Sequence, residues 1–539
     1  MIKQVSLQNV RLFADDLRTF RLAPLTVFCG SNSTGKSTIL KIFPLLRQSQ
    51  GIRESAEEES GKLRFKGTQV DLGNYSTLVS NNETSRKMQI GIRVGSGMLT
   101  SLEEQLRLIK GGKPLTQLQP QESQNAVDSE FDCSFDFSGS PPEKDKRTLS
   151  QEGNLASGML LKAVFKLIVK DETLLEWSIE RLQGGPEEKG APAPAIGEPV
   201  ERLYKFFLPT SYAESIGMTQ AIRAQKSEQP KKTTFICALK GLLPTTLIAE
   251  PATPIDDPAG GSQHVWQTWP VPPTMEWELN NFRNTLFEIH YLAPLRSAGK
   301  RFYVADSDTS PTMDPTGEFL PFILQDKRDT RVIHALPSQL GKGIEQPLGE
   351  ALGFWLKYLR TGNVEMDQPR QAEFELTTPG VLVELKLKSL WGECKHSLAD
   401  SGFGYSQIVP VLIRGLLLPQ NGTLVIEQPE LHLHPALQVR IADFFLAMCS
   451  IGKQVILETH SEHLVNALRV KAAEDTENKL HQQCKIYFLS SDTEQPQVYD
   501  LSVQADGSLK EWPESFFGEA LTLSGRLLRA QSKMKKIKN

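Results

Sequence analysis

Apolar and polar residues alternate at the very start of the chain, in "MIKQVSLQNV", as they do in a half-buried strand. The stretch "RTFRLAPLTVFCG" (18–30) ends in a short apolar run, the pattern of a strand entering a sheet. Residues 1–95 therefore predict a strand pair, then a strand, a loop and a helix. Helical periodicity returns in "MEWELNNFRNTLFEIHYL" (275–292), running into "APLR", and "FWLKYL" after Gly353 continues a helix. The segment "AEFELTTPGVLVELKL" (372–387) reads as a hairpin. From Ser397 onward helix and strand patterns alternate, through "SQIVPVLIRGLLL", "GTLVIEQPE", "ALQVRIADFFLAMC" and "KQVILETHS". That alternation predicts a parallel α/β sheet. No internal repeat is visible, and no heptad pattern lasts three or four turns, so long coiled-coil arms are not expected.

Three stretches interrupt these patterns with Gln, Ser, Glu, Gly and Pro: residues 97–155, 182–199 and 250–263. They hold too little apolar surface to order themselves and read as loops of an inserted region. The expected organisation is a first half-domain over 1–95, a partly flexible insertion over 96–280, and a helical and hairpin part over 281–396. A second half-domain over 397–490 and a C-terminal hairpin with a basic tail over 491–539 complete it.

The 539 residues, 39% hydrophobic, can fill large cores, and the formal charge of -4 excludes nothing about partners. No apolar run approaches the ~18 residues of a membrane span, and the first residues lack the design of a signal peptide. The six scattered cysteines read as reduced, mostly buried thiols of a cytoplasmic protein. The stretch from Arg526 to Lys538 is strongly basic, either a solvated tail or a phosphate-contacting arm.

Gly30-Ser31-Asn32-Ser33-Thr34-Gly35-Lys36-Ser37 matches G-x-x-x-x-G-K-[ST] in full, with Thr38 following. Two glycines let the backbone fold so that its N–H groups point at phosphate oxygens. Lys36 would reach the β- and γ-phosphates of ATP, and Ser37 would place its hydroxyl on Mg2+. An apolar strand before the loop and the helical "STILKIF" after it supply the context this motif needs.

Such a loop calls for an acid on the metal side, at the end of a strand. The apolar run Leu424-Val425-Ile426 ends at Glu427, the expected second metal residue. The residue after it usually aligns the attacking water. Here it is Gln428, which can orient water and cannot take its proton, and the next carboxylate is Glu430. Either hydrolysis is slow or Glu430 substitutes as base. "KQVILETHS" is another buried strand, and His460 at its tip is placed to sense the γ-phosphate. His432, His434, His460 and His463 could alternatively gather round zinc, with loose spacing and no cysteine in support.

These segments together resemble the ABC-type ATPase head of the RecF, SMC and OLD-nuclease relatives. In that family a Ser-Gly turn opens a helix whose N-terminus faces the γ-phosphate held by the opposite protomer. "SLADSGFGYSQIVPVL" matches it, with Ser401, Gly402, Gly404, Ser406 and Gln407 as the corresponding residues. A narrower likeness covers roughly 1–95 and 280–525, through "VDLGNYSTLV", "YLAPLRSAGKRFY", "IEQPELHLHPALQ", "ETHSEHLVNALR" and "WPESFFGEAL". There the chain is similar to AAA/ABC ATPases ending in a DUF3696 segment, among them the PtuA-type ATPase subunits of Septu-type and retron-linked anti-phage systems.

The resemblance implies an α/β fold: an ABC-type P-loop ATPase head, with a mixed N-terminal β lobe, a parallel sheet flanked by helices, and an irregular α+β insertion between the two motif halves. It implies ATP and Mg2+, a homo-oligomer closing around ATP, and a separate HNH nuclease subunit. Contact with DNA or reverse-transcribed nucleic acid is a further implication, and a membrane is not. OLD-type relatives carry a Toprim domain, but no D-x-D with an upstream catalytic Glu follows His460, and no H-N-H arrangement with cysteine pairs occurs. The expected function is an ATP-binding and hydrolysing subunit that regulates a nuclease effector in anti-phage defence. Asp71, Tyr75 and residues 291–303 are candidate coupling elements. The alternative is a RecF-like DNA-binding ATPase of DNA repair or DNA-end recognition. A scaffold with a vestigial site is disfavoured by the intact Gly35, Lys36, Ser37 and Glu427.

Overall fold

Two kinds of apolar pattern become two kinds of sheet in the computed structural model. It describes residues 1–50, 60–96, 129–139, 158–169, 171–182, 203–216, 232–249, 255–256, 262–263, 267–304, 314–363, 374–377, 382–388, 394–477, 479–491, 496–510, 523 and 525–531. The chain divides into one unit of Met1–Leu22 with Lys41–Ile289 and another of Ala23–Leu40 with His290–Asn539.

In the first unit the alternating segments pair as an antiparallel sheet of eleven described strands. The N-terminal Ile2–Gln8 lies between Arg18–Arg21 and Met88–Ser96. The sheet then runs on through Ser129–Ser138, Gly158–Val169, Glu172–Arg181 and Tyr204–Pro209. Ser129–Ser138 alternates strictly between buried and half-buried positions. Its buried Phe131 stacks on Trp177 with ring centroids 5.5 Å apart, and Phe282 of the helix Pro273–Phe287 meets Phe131 edge-on at 6.1 Å. Tyr75 is buried here too, its hydroxyl donating to the carbonyls of Arg86 (2.7 Å) and Phe137 (3.0 Å).

The region expected as an insertion contributes long strands such as Ser129–Ser138 and Gly158–Val169, and also two-residue strands and the helices Thr210–Ser215 and Pro273–Phe287. Much of the composition-biased sequence, including "GSPPEKDKRTLSQEGN", lies outside the described residues. So do "WPESFFGEAL" and most of the basic tail.

The second unit is built on the continuous apolar runs, which suit strands covered on both faces. Its sheet contains β1 (Leu25–Gly30), β2 (Ile289–Leu292), β3 (Thr423–Glu427), β4 (Gln454–Glu458), β5 (Cys484–Ser490) and β6 (Gln497–Ser502). Their spatial order is β2-β3-β4-β1-β5-β6. The pairs β3–β4, β4–β1 and β1–β5 are parallel, and β6 closes the edge antiparallel to β5. The helical reading of 275–292 therefore ends too late. Glu288 caps the helix, and the short apolar run Ile289–Leu292 becomes β2.

Helices α1 (Lys36–Gln48), α2 (Leu348–Thr361), α3 (Phe403–Leu417) and α4 (Pro435–Ser450) follow the expected periodicity, and α5 (Glu462–Glu474) adds to them. Trp355 of α2 is fully buried and meets Phe444 of α4 edge-on at 4.9 Å. Burying a ring of that size stabilises the unit by on the order of 4 kcal/mol. The expected hairpin forms from Phe374–Thr377 and Leu382–Lys388. In the C-terminal hairpin the chain turns at Asp506-Gly507, with Val503 bridging Leu509 and Gly507 at φ +75°.

Candidate functional site

In a parallel sheet, ligands collect beyond the carboxyl ends of the strands. At that end β1 passes through the loop 30–35 into α1. Gly30 holds φ +127°, and a methyl group there would collide with the Leu489 carbonyl at the end of β5. Gly35 holds φ +95° and Ser33 φ +60°. Only glycine fits the first position, which is why the motif begins there. The Ser31 N–H donates to Leu489 O at 3.0 Å, and Thr34 Oγ1 donates to Ser31 O at 2.9 Å, fixing the rim of the loop.

Lys36 is buried, and its ammonium folds back onto the loop, 2.6 Å from Ser31 O and 3.2 Å from Gly30 O. Burial lowers its pKa, with Glu458 opposing. Phosphate oxygens would offer this ammonium stronger, charged acceptors than two carbonyls. Tight glycines, a buried lysine and helix-opening amides fit a nucleotide's phosphates. A serine hydroxyl beside carboxylates is a hard oxygen donor set and fits Mg2+. When bound, that ion neutralises phosphate charge, and Ser37 with the strand-end acids would hold it.

The acids are arranged differently from the simple expectation. Glu427 is not on the strand beside β1, because β4 lies between them. The carboxylate that meets the loop is Glu458, at the end of β4, whose Oε2 accepts from Ser37 Oγ at 2.6 Å. Glu427 Oε1 instead accepts from the buried hydroxyl of Tyr291 at 2.6 Å. Burial and the Glu427 and Glu458 carboxylates push the Tyr291 phenol far above its ordinary range, so it stays a donor.

After Glu427 the chain turns sharply. Gln428 stands at φ +46°, a left-handed conformation that a non-glycine residue adopts at a cost of about 1–2 kcal/mol. Pro429 follows and disfavours it further. Three bonds hold the turn. Gln428 N–H donates to Glu458 O at 2.8 Å, and Arg296 donates through Nη2 to Glu427 O at 2.8 Å and through Nη1 to Gln428 O at 3.3 Å. Arg296 is deeply buried, which lowers its pKa to about 10 against the pull of Glu430 and Glu427.

Glu430 Oε1 accepts the His460 N–H at 2.7 Å. Burial raises the Glu430 pKa, opposed by that hydrogen bond, by Thr459 and by Arg296. The His460 ring lies 3.9 Å from Glu458, and burial and Lys36 lower its pKa. Gly30, Lys36, Ser37, Glu427, Gln428, Glu430 and His460 thus lie together at one end of the sheet. Sequence reasoning missed Glu458, and it named Tyr291 and Arg296 only as part of the 291–303 coupling segment. Glu458 could have been found, since it ends the same apolar run that points to His460.

The Ser401–Gln407 turn opens α3. Gly402 (φ +88°) occupies the cap position without a side-chain cap, and no acidic residue sits in the first turn. Ser401 Oγ turns inward, to Ser397 O at 2.7 Å and His396 O at 3.2 Å. A methyl at Gly404 would lie 2.9 Å from His432 O, so this turn packs closely on the loop after β3. Ser406 and Gln407 are buried, and Gln407 Oε1 accepts from the Arg296 N–H at 3.3 Å. His434 caps α4 through Nδ1, which accepts from Ala436 N–H at 3.3 Å.

Comparison with known proteins agrees with this architecture. Residues 353–465 match the family model described as AAA ATPase domain. The phosphate loop, the strand order and this match are those of a P-loop ATPase fold. Residues 481–527 match a second model, Protein of unknown function (DUF3696). No curated protein matches the sequence. Among solved structures, the SMC head domain from Thermotoga maritima is 8% identical with a TM-score of 0.33, covering 93% of this chain and 99% of its own. The Smc head domain with an extended coiled coil bound to the C-terminal domain of ScpA, from Pyrococcus furiosus, is 9% identical at the same TM-score. That alignment covers 100% and 99% of the two chains. Likeness at this level adds nothing to the topology. Among the described residues no helix is long and apolar enough to cross a membrane.

Proposed function

We propose that the chain is a slow, switch-like ATPase subunit that closes on ATP as a homo-oligomer and regulates a separate HNH nuclease in anti-phage defence. The carrying observation is the pair Gln428 and Glu430. The residue after the strand-end acid has no carboxylate, and the next one along the chain, Glu430, accepts the His460 amide. A site that binds the phosphates well and activates water poorly holds ATP long enough for a partner to read it. The uncapped N-terminus of α3 offers N–H groups and a favourable dipole to an anion, as a γ-phosphate presented by a second protomer would require. Loss of that phosphate would release both sides at once. The nuclease partner and the defence role follow from the resemblance to PtuA-type subunits.

Equilibrium ATP binding and steady-state turnover test the ATPase half. Lys36→Ala is expected to abolish binding, and undiminished binding by that variant would sink the reading. Gln428→Glu is expected to raise turnover by roughly 10²–10⁴-fold, the usual worth of a positioned base. If Glu430 is instead the base, Glu430→Ala removes turnover. The wild-type rate would then fall as pH drops through a Glu430 pKa above the ordinary 4.5, because the ionised form is the active one. Co-expression with an HNH nuclease of the kind that partners PtuA-type subunits tests the rest. A stable complex whose DNA cleavage follows the ATP state supports the proposal, and an unbound, ATP-indifferent nuclease overturns it.

A further inference from the structure

Two buried carboxylates stand side by side beyond the sheet. Glu427 and Glu458 are partners in the register of the parallel pair β3–β4, so they project from the same face, on strands about 4.8 Å apart. Neither is exposed, and like charges so placed repel unless a cation is shared. Lys36 interacts with Glu458, and Arg296 with Glu427 and Glu430, so three carboxylates face two cations.

The two acids are engaged differently. One oxygen of Glu427 is taken by Tyr291, a donor that keeps its proton. Glu458 accepts a hydrogen bond from Ser37 Oγ, the hydroxyl that the phosphate loop would offer to magnesium. A hydroxyl whose proton is held on one side presents its lone pairs on the other. Deleting such an outer partner of a metal ligand typically weakens metal binding about 10–100-fold.

We propose that Glu458 is the positioning acid of the magnesium seat: it orients the Ser37 hydroxyl toward the cation and supplies the charge that makes the seat selective for one. The inference rests on the nucleotide-site reading above. It assigns to Glu458 a role that the usual reading of the motifs gives wholly to Ser37 and Glu427.

The test is Mn2+ affinity by electron paramagnetic resonance, with saturating ATPγS, alongside ATPγS affinity in EDTA. Glu458→Gln keeps an oxygen that can accept from Ser37 and loses the charge. It is expected to raise the Mn2+ Kd about 10–100-fold while metal-free ATPγS affinity holds or tightens. Glu458→Asp, which keeps the charge, is expected to recover most of the Mn2+ affinity and covers the case in which the glutamine variant does not fold. Mn2+ affinity within about two-fold of wild type in Glu458→Gln, or in Glu458→Asp no better than in Glu458→Gln, overturns the proposal. Failure of the wild type to bind ATPγS at all would instead overturn the nucleotide-site reading, and the two failures are separable.

Discussion

The adjacent strands β3 and β4 both end in a buried glutamate, yet the two ends differ in kind. Beyond Glu458 the chain continues without strain. Thr459 N–H extends the ladder to Phe28 O at 2.9 Å, and Ser461 caps α5 by accepting from Leu464 N–H at 3.0 Å. Beyond Glu427 it enters the left-handed Gln428, directly before a proline, and holds there only because other groups grip it. The relaxed end touches the phosphate loop. The strained end carries the residues that would align water. Strain at a functional turn persists only where its surroundings over-determine it. Here a single buried arginine provides most of that grip, and its own backbone is tied to the helix of the Ser401–Gln407 turn through Gln407. A displacement of that helix would therefore pass through Gln407 and Arg296 to the turn after β3.

The largest expected effect breaks the comparison at Arg296. Arg296→Ala removes the guanidinium donor from the backbone carbonyls of Glu427 and Gln428, the second of which keeps the Leu431 N–H at 3.3 Å, at about 1–3 kcal/mol for the lost bonds. The variant should lose about 3 kcal/mol in urea denaturation, and its turnover should fall further than its ATP affinity. Arg296→Lys should recover only part, since one ammonium cannot reproduce a planar fork. A wild-type denaturation midpoint for Arg296→Ala would show that the turn holds itself.

The contrast between the two strand ends was only half legible in the sequence. The loop motif named Gly30, Lys36 and Ser37 because its chemistry is local, and strand-end acids and His460 were readable because each closes an apolar run. The strand order that sets Glu458 rather than Glu427 against Ser37 is a tertiary fact with no local trace. Tyr291 and Arg296 reach Glu427 and Gln428 across more than 130 residues of chain. The strands of the first unit were hidden for another reason. "SEFDCSFDFS" and "GMLLKAVFKLIV" alternate clearly, but the Pro- and Gly-rich sequence around them dominates any composition taken over a longer window.

The smallest expected effect sharpens the comparison by placing the same residue at both ends. Glycine at position 428 relieves about 1–2 kcal/mol of left-handed strain and costs about 0.5–1 kcal/mol of extra chain entropy. Gln428→Gly should therefore be neutral to about 1 kcal/mol more stable. Thr459 is fully buried, its N–H is in the ladder, and its hydroxyl accepts the Ser461 N–H at 2.9 Å. Thr459→Gly meets the entropy cost with no strain to relieve and should lose about 1–2 kcal/mol. Paired urea titrations read the difference directly. Opposite signs would locate the strain at the water-aligning turn alone, and equal losses would mean that Gln428 is held in a conformation its neighbours make comfortable.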